Sequence, residues 1–328
     1  MILLSPLLML LLNSASFKAA QELPIINRGL EEAALMMLPA HKQSELLTKP
    51  LPKVRKVRKG KAKVKANVKS VQPTSKGGFA SSASGPQSPL AKPLHVAGVV
   101  RIPSLLSIPL ADSLRAHCLS VADGADPDLS NVLLTVNRSD VRLPLSDPSV
   151  LSALDAVLNG PLGDLLDDVL TTSSVLHELA CLISDPGSQR QVLHPDVGYT
   201  TDLGIVTCFV ALQNINLNMG PTIFLPGTHK QGWKELLDDE DSRDDMITGR
   251  PSSLSLLNLG EVSIFDGRIL HAGSANESEE RRAIFYFSFR SPYFNPASGT
   301  SQGSLCKELR EEGLTLEEVR VKCAIKSS

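Results

Sequence analysis

Between Asp147 and Leu170 the apolar residues recur at the three- and four-residue spacing of helices. Asp147 and Pro148 supply an N-cap and a first-turn proline, Val150, Leu151, Leu154, Val157 and Leu158 form one face, and Gly160-Pro161 ends it. Leu162, Leu165, Leu166, Val169 and Leu170 line the face of a second helix. From Ser173 the pattern changes to short runs rich in β-branched and aromatic residues, at 174–184, 204–213, 221–225, 261–265 and 283–290. Turn signals separate them: Asp185-Pro186-Gly187, Asn218-Met219-Gly220-Pro221, Pro226-Gly227 and Asp266-Gly267. Helices come first and strands afterwards, without βα alternation. The pattern therefore predicts a mainly β fold, an antiparallel sandwich or barrel braced by helices.

The N-terminal third reads differently. Ile2 to Leu12 is apolar and leads into Asn13-Ser14-Ala15-Ser16, the layout of a signal peptide over residues 1–16 cut before Phe17. The run is about half the roughly 20 residues that span a bilayer, so no membrane span is expected. Residues 49–98 are rich in Lys, Ser, Ala, Pro and Gly and poor in aromatics, too little apolar surface to offset the entropy of ordering. Residues 17–98 thus read as a basic low-complexity targeting or linker segment, and residues 99–328 as the folded domain. A signal peptide followed by a basic, Ser-rich tract resembles the two-part plastid presequence of algae with secondary plastids. That resemblance implies passage through the secretory pathway to a plastid; a secreted or endomembrane-lumen protein is the alternative.

Charge sharpens this division. No acid occurs between Glu45 and Asp112, a stretch carrying 13 Lys or Arg, whereas from Asp112 onward 31 acids face 17 bases. A net of −14 from Asp112 onward repels phosphate backbones, so no nucleic-acid partner is expected for the mature domain. The five cysteines show no CxxC spacing and an odd count, which signals neither a thiolate zinc site nor a complete disulfide framework.

The candidate chemistry lies in the β-rich half. In extended chain, residues i and i+2 point to one side, so His194 and Asp196 of His194-Pro195-Asp196 converge. His271 ends the run GEVSIFDGRILH, and an antiparallel jelly roll can lay that strand beside the earlier one. Two histidines and one carboxylate leave adjacent coordination positions open, the arrangement of non-haem Fe(II) oxygenases, whereas zinc prefers a closed tetrahedron or one open position. Eleven residues on, Arg282 opens the apolar strand Ala283-Ile284-Phe285-Tyr286-Phe287. If 271 and 282 flank a hairpin over Gly273 to Asn276, its guanidinium enters the same cavity and can clamp a carboxylate. The alternative for Arg282 is a rim ion pair with Glu279 or Glu280. Its neighbour Arg281 should face the other way.

Taken in order, His194-x-Asp196, Gly220-Pro221-Thr222 to Pro226-Gly227-Thr228-His229, and Gly260-Glu261-Val262 to His271 with Asn276 and Arg282 resemble the phytanoyl-CoA dioxygenase family of Fe(II)- and 2-oxoglutarate-dependent oxygenases. The likeness covers about residues 174–292. It implies a double-stranded β-helix, a cupin-like jelly roll, in which His194, Asp196 and His271 bind Fe(II) and Arg282 holds the distal carboxylate of 2-oxoglutarate. It further implies that O2 is consumed, succinate and CO2 are released and a small organic substrate is hydroxylated. Halogenating relatives replace the carboxylate ligand by a small residue, so Asp196 points to hydroxylation. Some members carry a serine two residues after the distal histidine; here that place is Gly273, with Ser274 next.

Further expectations concern the surroundings. His177 and Ser274 are candidate cavity contacts, with ordinary strand packing the alternative for His177, while His229 reads as structural. The acidic run Glu235 to Asp245 is either a lid or a solvated loop. Asn137-Arg138-Ser139 and Asn276-Glu277-Ser278 fit the glycosylation sequon. Two other functions stand against the dioxygenase: a cupin-like metalloenzyme that does not use 2-oxoglutarate, and a catalytically silent secreted binding module. The substrate is not legible in the sequence.

Overall fold

The computed structural model describes residues 88–328 apart from 125, 134–136, 199, 201, 231–249, 295–302 and 327–328. The signal peptide, the basic segment as far as residue 87, His41 and the acidic run at 235–245 lie outside the described residues.

In chain order the elements are α1 (Ala91–Ala97), β1 (Val99–Ile102), α2 (Ile108–Ala122), β2 (Ser130–Leu133), β3 (Arg138–Arg142), α3 (Pro148–Leu158) and α4 (Pro161–Val169). There follow β4 (Val175–Ser184), β5 (Ile205–Ala211), β6 (Thr222–Phe224), β7 (Ser253–Leu254), β8 (Val262–Asp266), β9 (His271–Gly273) and β10 (Arg282–Arg290), then α5 (Lys307–Glu312) and α6 (Leu316–Lys326). The two helices expected from periodicity are α3 and α4. Asp147 caps the first, its Oδ1 accepting from the Ser149 and Val150 amides at 2.8 and 3.2 Å, a contact whose loss typically costs about 1 kcal/mol. Helix α1 precedes the boundary expected near residue 98 and packs on β1, with Leu94 buried.

Seven strands form one antiparallel sheet in the order β1-β8-β5-β10-β4-β3-β2, and β7-β6-β9 form a second. From β5 onward the chain alternates between them: β5 in the large sheet, β6 and β7 in the small, β8 in the large, β9 in the small, β10 in the large. This winding is the double-stranded β-helix, and it places β9 and β10 in different sheets. The hairpin expected over Gly273 to Asn276 is therefore a crossing between sheets.

Strand alternation divides the large sheet into two faces. Phe285, Phe287 and Phe289 of β10, Leu179, Cys181 and Ile183 of β4, and Val206, Cys208 and Val210 of β5 pack against Leu114, Cys118, Val150, Leu154, Leu162 and Val319 from the helices. All five cysteines are buried, and none is in a disulfide. Each of these phenylalanines is fully buried, and truncation of such a residue to alanine costs about 3–5 kcal/mol. The other face carries Arg282, Ile284, Tyr286 and Ser288 of β10 with Thr207, Phe209 and Ala211 of β5, and looks toward the small sheet. Helices thus hold the wall rigid from behind while its polar positions line the cavity. No helix among the described residues is long and apolar enough to cross a membrane.

Candidate active site

The small sheet gains an edge from residues before β5. The Gln191 amide donates to the Gly273 carbonyl at 2.9 Å, and His194 and His271 exchange backbone hydrogen bonds at 3.0 and 2.9 Å, an antiparallel bridge. That bridge, 77 positions apart in sequence, brings the two imidazoles together, ring centroids 4.7 Å apart and tilted by 49°. Asp196 follows on the same side, its Oδ1 3.3 Å from His271 Nε2. One ligand atom from each of His194, Asp196 and His271 lies within 4.8 Å of the others.

The donor set fits a divalent metal. His194 Nδ1 bonds the Val192 carbonyl at 2.7 Å and His271 Nδ1 the Ile269 carbonyl at 3.0 Å. A carbonyl only accepts, so each Nδ1 carries the proton and each Nε2 is left a lone pair, the usual outer support of a metal-binding histidine. Thr207 Oγ1 donates to Asp196 Oδ2 at 3.3 Å, leaving Oδ1 for the centre. Burial and the neighbouring His271 keep His194 below its ordinary pKa, in the neutral form a metal needs. For Asp196, burial opposes ionisation, but the two histidines and Thr207 prevail and hold it below the usual carboxylate range. Burial also opposes charge on His271, and the Asp196 carboxylate outweighs it, raising the pKa. Phe265 and Phe224 stack beside His271 at 5.1 and 5.8 Å, an apolar back wall.

Arg282 lies on the cavity face and is 1% exposed, so the rim ion pair with Glu279 or Glu280 is not formed. It donates to the Gly220 carbonyl and, at 2.8 Å, to Ser184 Oγ. Gly220 has φ +73°, and a Cβ there would come within 2.5 Å of the Ser274 and Ala275 carbonyls, so only glycine fits. Arg281 turns outward to Asp185 and Asp123, as expected.

Sequence reasoning missed Arg138 of β3, which is 0% exposed. The register places Arg138 and Arg282 on either side of Ser184, and the two guanidiniums converge on its hydroxyl. Arg138 Nη2 also donates to the Gln189 and Ser274 carbonyls at 2.9 and 2.8 Å. No carboxylate pairs with either arginine among the described residues, and the Nε of both is buried without a partner. Burial pushes Arg138 down to about 10; burial and then the repulsion of Arg138 push Arg282 down to about 9. Two like charges with no acidic partner among the described residues are an arrangement that can take a carboxylate from outside the chain. The only sequence signal was Arg138 itself, within a segment that read as a sequon.

The remaining candidates fall into place around this centre. Gly273 faces Arg138: a Cβ there would sit 2.6 Å from Gln191 Oε1 and 3.3 Å from Arg138 Nη1, so the space of the serine found in some relatives is taken. Ser274 meets Arg138 through its carbonyl. His177 lies close enough to Asp196 and Arg290 to feel both charges. His229 is buried, with Nε2 3.0 Å from the His95 carbonyl, the structural role expected. Asn276 is 1% exposed, its amide nitrogen bonded to the Ser184 and Glu280 carbonyls, which leaves no room for a glycan.

A double-stranded β-helix holding two histidines and an aspartate at one end of its cavity is the scaffold of a non-haem iron oxygenase. The chain belongs to the phytanoyl-CoA dioxygenase (PhyH) family, whose model matches residues 94–284, a span that contains the triad and both buried arginines. It is a 2-oxoglutarate-dependent non-haem iron dioxygenase. Among curated proteins it is 24% identical over 223 residues to the dioxygenase af480 of Aspergillus fumigatus, covering 65% of this chain and 70% of that one. It is 28% identical over 115 residues to the dioxygenase easH of Epichloe festucae var. lolii, spanning 32% of this chain and 57% of that protein. Among the solved structures that share its fold are these two. One is the epimerase SnoN in complex with Fe3+, alpha ketoglutarate and nogalamycin RO (16% identity, TM-score 0.51, 65% of this chain and 91% of that one). The other is EctD from S. alaskensis with bound Fe (16%, 0.51, 65% and 79%).

Proposed function

We propose that this dioxygenase hydroxylates a small organic substrate, releasing succinate and CO2, with His194, Asp196 and His271 as the Fe(II) ligands and Arg282 and Arg138 as the 2-oxoglutarate receptor. The observation that carries this reading is the pairing of a histidine–aspartate–histidine cluster with two buried, acid-free arginines on the facing wall. When bound, Fe(II) and 2-oxoglutarate supply the oxidising chemistry, coupling O2 to decarboxylation of the co-substrate.

The chain contributes position and environment. The Val192 and Ile269 carbonyls fix each imidazole in the tautomer that presents Nε2, and Thr207 fixes the rotation of the Asp196 carboxylate. Arg282 and Arg138 recognise a carboxylate by charge and shape, and Ser184, hydrogen-bonded to both, holds the pair in place. Phe224, Phe265 and Phe209 keep water from the triad's inner side, which strengthens every charge interaction there. The arginine pair also favours this reading over a cupin-like enzyme without 2-oxoglutarate, which would have no use for an anion receptor. On the sequence reading, residues 1–16 direct the chain to the secretory pathway.

The test is succinate release from 2-oxoglutarate in the presence of Fe(II), in wild type and Asp196→Ala. Loss of one metal ligand is expected to reduce release by at least about 100-fold. Full turnover by the variant removes Asp196 from the metal; no 2-oxoglutarate-dependent turnover in either protein returns the reading to a silent binding module.

A further inference from the structure

One part of the cavity wall is used by neither the metal nor the co-substrate. Strands β4 and β10 lose register between Ser288 and Phe289: Ser288 pairs with Glu178 and Phe289 with Leu176, so His177 is an extra residue, a β-bulge. Such insertions re-aim side chains and gather beside active sites. Leu176 and Leu179 on either side pack into the helix-side core. Glu178 turns instead to the cavity, where Oε2 accepts the Ser288 hydroxyl at 2.7 Å. The charges acting on it come from Asp196, Asp140 and His271. His177 feels Asp196 and Arg290 and so lies near the same end.

Glu178 has no cation to pair with among the described residues, so a basic amine could take up its proton and leave an ion pair. A metal answers Asp196, and a dicarboxylate answers the two arginines. Both oxygens of Asp140 are occupied, by the Tyr286 hydroxyl at 2.6 Å and the Ser304 hydroxyl at 2.6 Å. Glu178 has only Ser288, no Lys or Arg within ion-pair reach among the described residues, and a second oxygen without a partner. Buried carboxylates are paired or pushed to the acid form, and burial, with Asp196 next, raises this one to about 8.

We propose that Glu178 is the specificity-determining group for a substrate with a basic nitrogen: an amine docks on the open Glu178 oxygen, flanked by His177, and a C–H bond a few atoms away faces the triad. This rests on the dioxygenase reading and adds to it the substrate's chemical class. A substrate with a carboxylate or phosphate in that position would gain no such ion pair and would stand beside the acidic groups Asp196 and Asp140.

The experiment is anaerobic calorimetric titration of the full chain, loaded with Fe(II) and 2-oxoglutarate, with a set of primary and secondary amines and the N-acetyl derivative of each. Amine-stimulated succinate release is the second readout. At least one amine is expected to bind 10–100-fold more tightly than its N-acetyl partner, the scale of one charge-assisted hydrogen bond. In Glu178→Gln that ratio should collapse toward one, and Glu178→Asp should restore part of it. A wild type that takes up 2-oxoglutarate but shows no preference for any amine overturns the proposal and leaves the dioxygenase reading intact. Full amine preference in Glu178→Gln overturns it as well. A wild type that takes up no 2-oxoglutarate fails at the earlier step.

Discussion

Replacing Arg282 by methionine separates a structural arginine from one held ready for a ligand. The guanidinium stays charged in a protein, so burial and the repulsion of Arg138, which push its pKa from 12.5 to about 9, mark an uncompensated charge. At 1.36 kcal/mol per unit this is about 5 kcal/mol, released when the charge is removed. Against it stand two hydrogen bonds, to the Gly220 carbonyl and Ser184 Oγ, each about 1.5–3 kcal/mol for a charged donor. The terms nearly cancel, and the metal-free variant should melt within about 8 °C of wild type, at roughly 2–4 °C per kcal/mol for a domain of this size. Ligand response should differ sharply. In Ni(II)-loaded wild type, 2-oxoglutarate at about 100 times its Kd adds about 2.7 kcal/mol, a rise of about 5–11 °C. Arg282→Met removes a charged contact worth about 2–5 kcal/mol, so the rise should vanish at the same concentration. The assay is differential scanning fluorimetry with and without metal and co-substrate. A variant that melts more than about 15 °C lower without ligand would show Arg282 to be a structural piece; one that keeps the full ligand-induced rise would show that the carboxylate binds elsewhere.

Three further outcomes test neighbouring residues. Thr207→Val preserves shape but removes the hydroxyl that steadies Asp196, and metal affinity measured by competition with a chelator should fall about 10–100-fold while the fold survives. Gly273→Ser should weaken 2-oxoglutarate binding, because its Cβ starts 2.6 Å from Gln191 Oε1 and 3.3 Å from Arg138 Nη1; tighter binding would mean that Arg138 is not part of the receptor. For Glu178, raised from 4.5 to about 8, the folded state holds a proton that the unfolded chain has lost, so stability falls as pH rises through that window. Between pH 5 and 8 the metal-free protein should lose about 2–4 kcal/mol relative to Glu178→Gln by denaturant unfolding, and parallel profiles for the two proteins would refute the assignment.

Much of the frame was legible because it obeys local rules. The Asp147 cap, the face through Leu158 and the Gly160-Pro161 stop gave α3 and α4, and the β-branched and aromatic runs gave β4, β5, β8 and β10. His194-x-Asp196 was legible because a period of two sets which side chains converge, and the His194–His271 bridge supplies the rest. Arg138 and Asp140 were not, since Arg-Ser-Asp-Val-Arg reads as exposed chain; only pairing of β3 with β4 turns Arg138 inward beside Ser184. The bulge at His177 and the separation of β9 from β10 depend on register between strands distant in sequence, which no local pattern encodes. Sequence rules therefore failed mostly where the wall turns from packing to chemistry, as they do at functional sites.

That turn has a physical logic. On the helix side of the large sheet, apolar residues meet apolar residues. On the cavity side, the same strands carry two arginines without acids and a glutamate without a base among the described residues, groups whose burial costs stability unless something else answers them. Positive and negative groups sit on one wall yet do not neutralise one another: Arg138 and Arg282 share Ser184 at one end of β4, while Glu178 lies six positions away toward the other. Strand rise puts that separation at about 20 Å along the sheet, too far for Arg282 and Glu178 to pair. An antiparallel strand thus keeps opposite charges apart and leaves each open to a different ligand, the dicarboxylate proposed for the Ser184 end and the basic substrate proposed for the bulge.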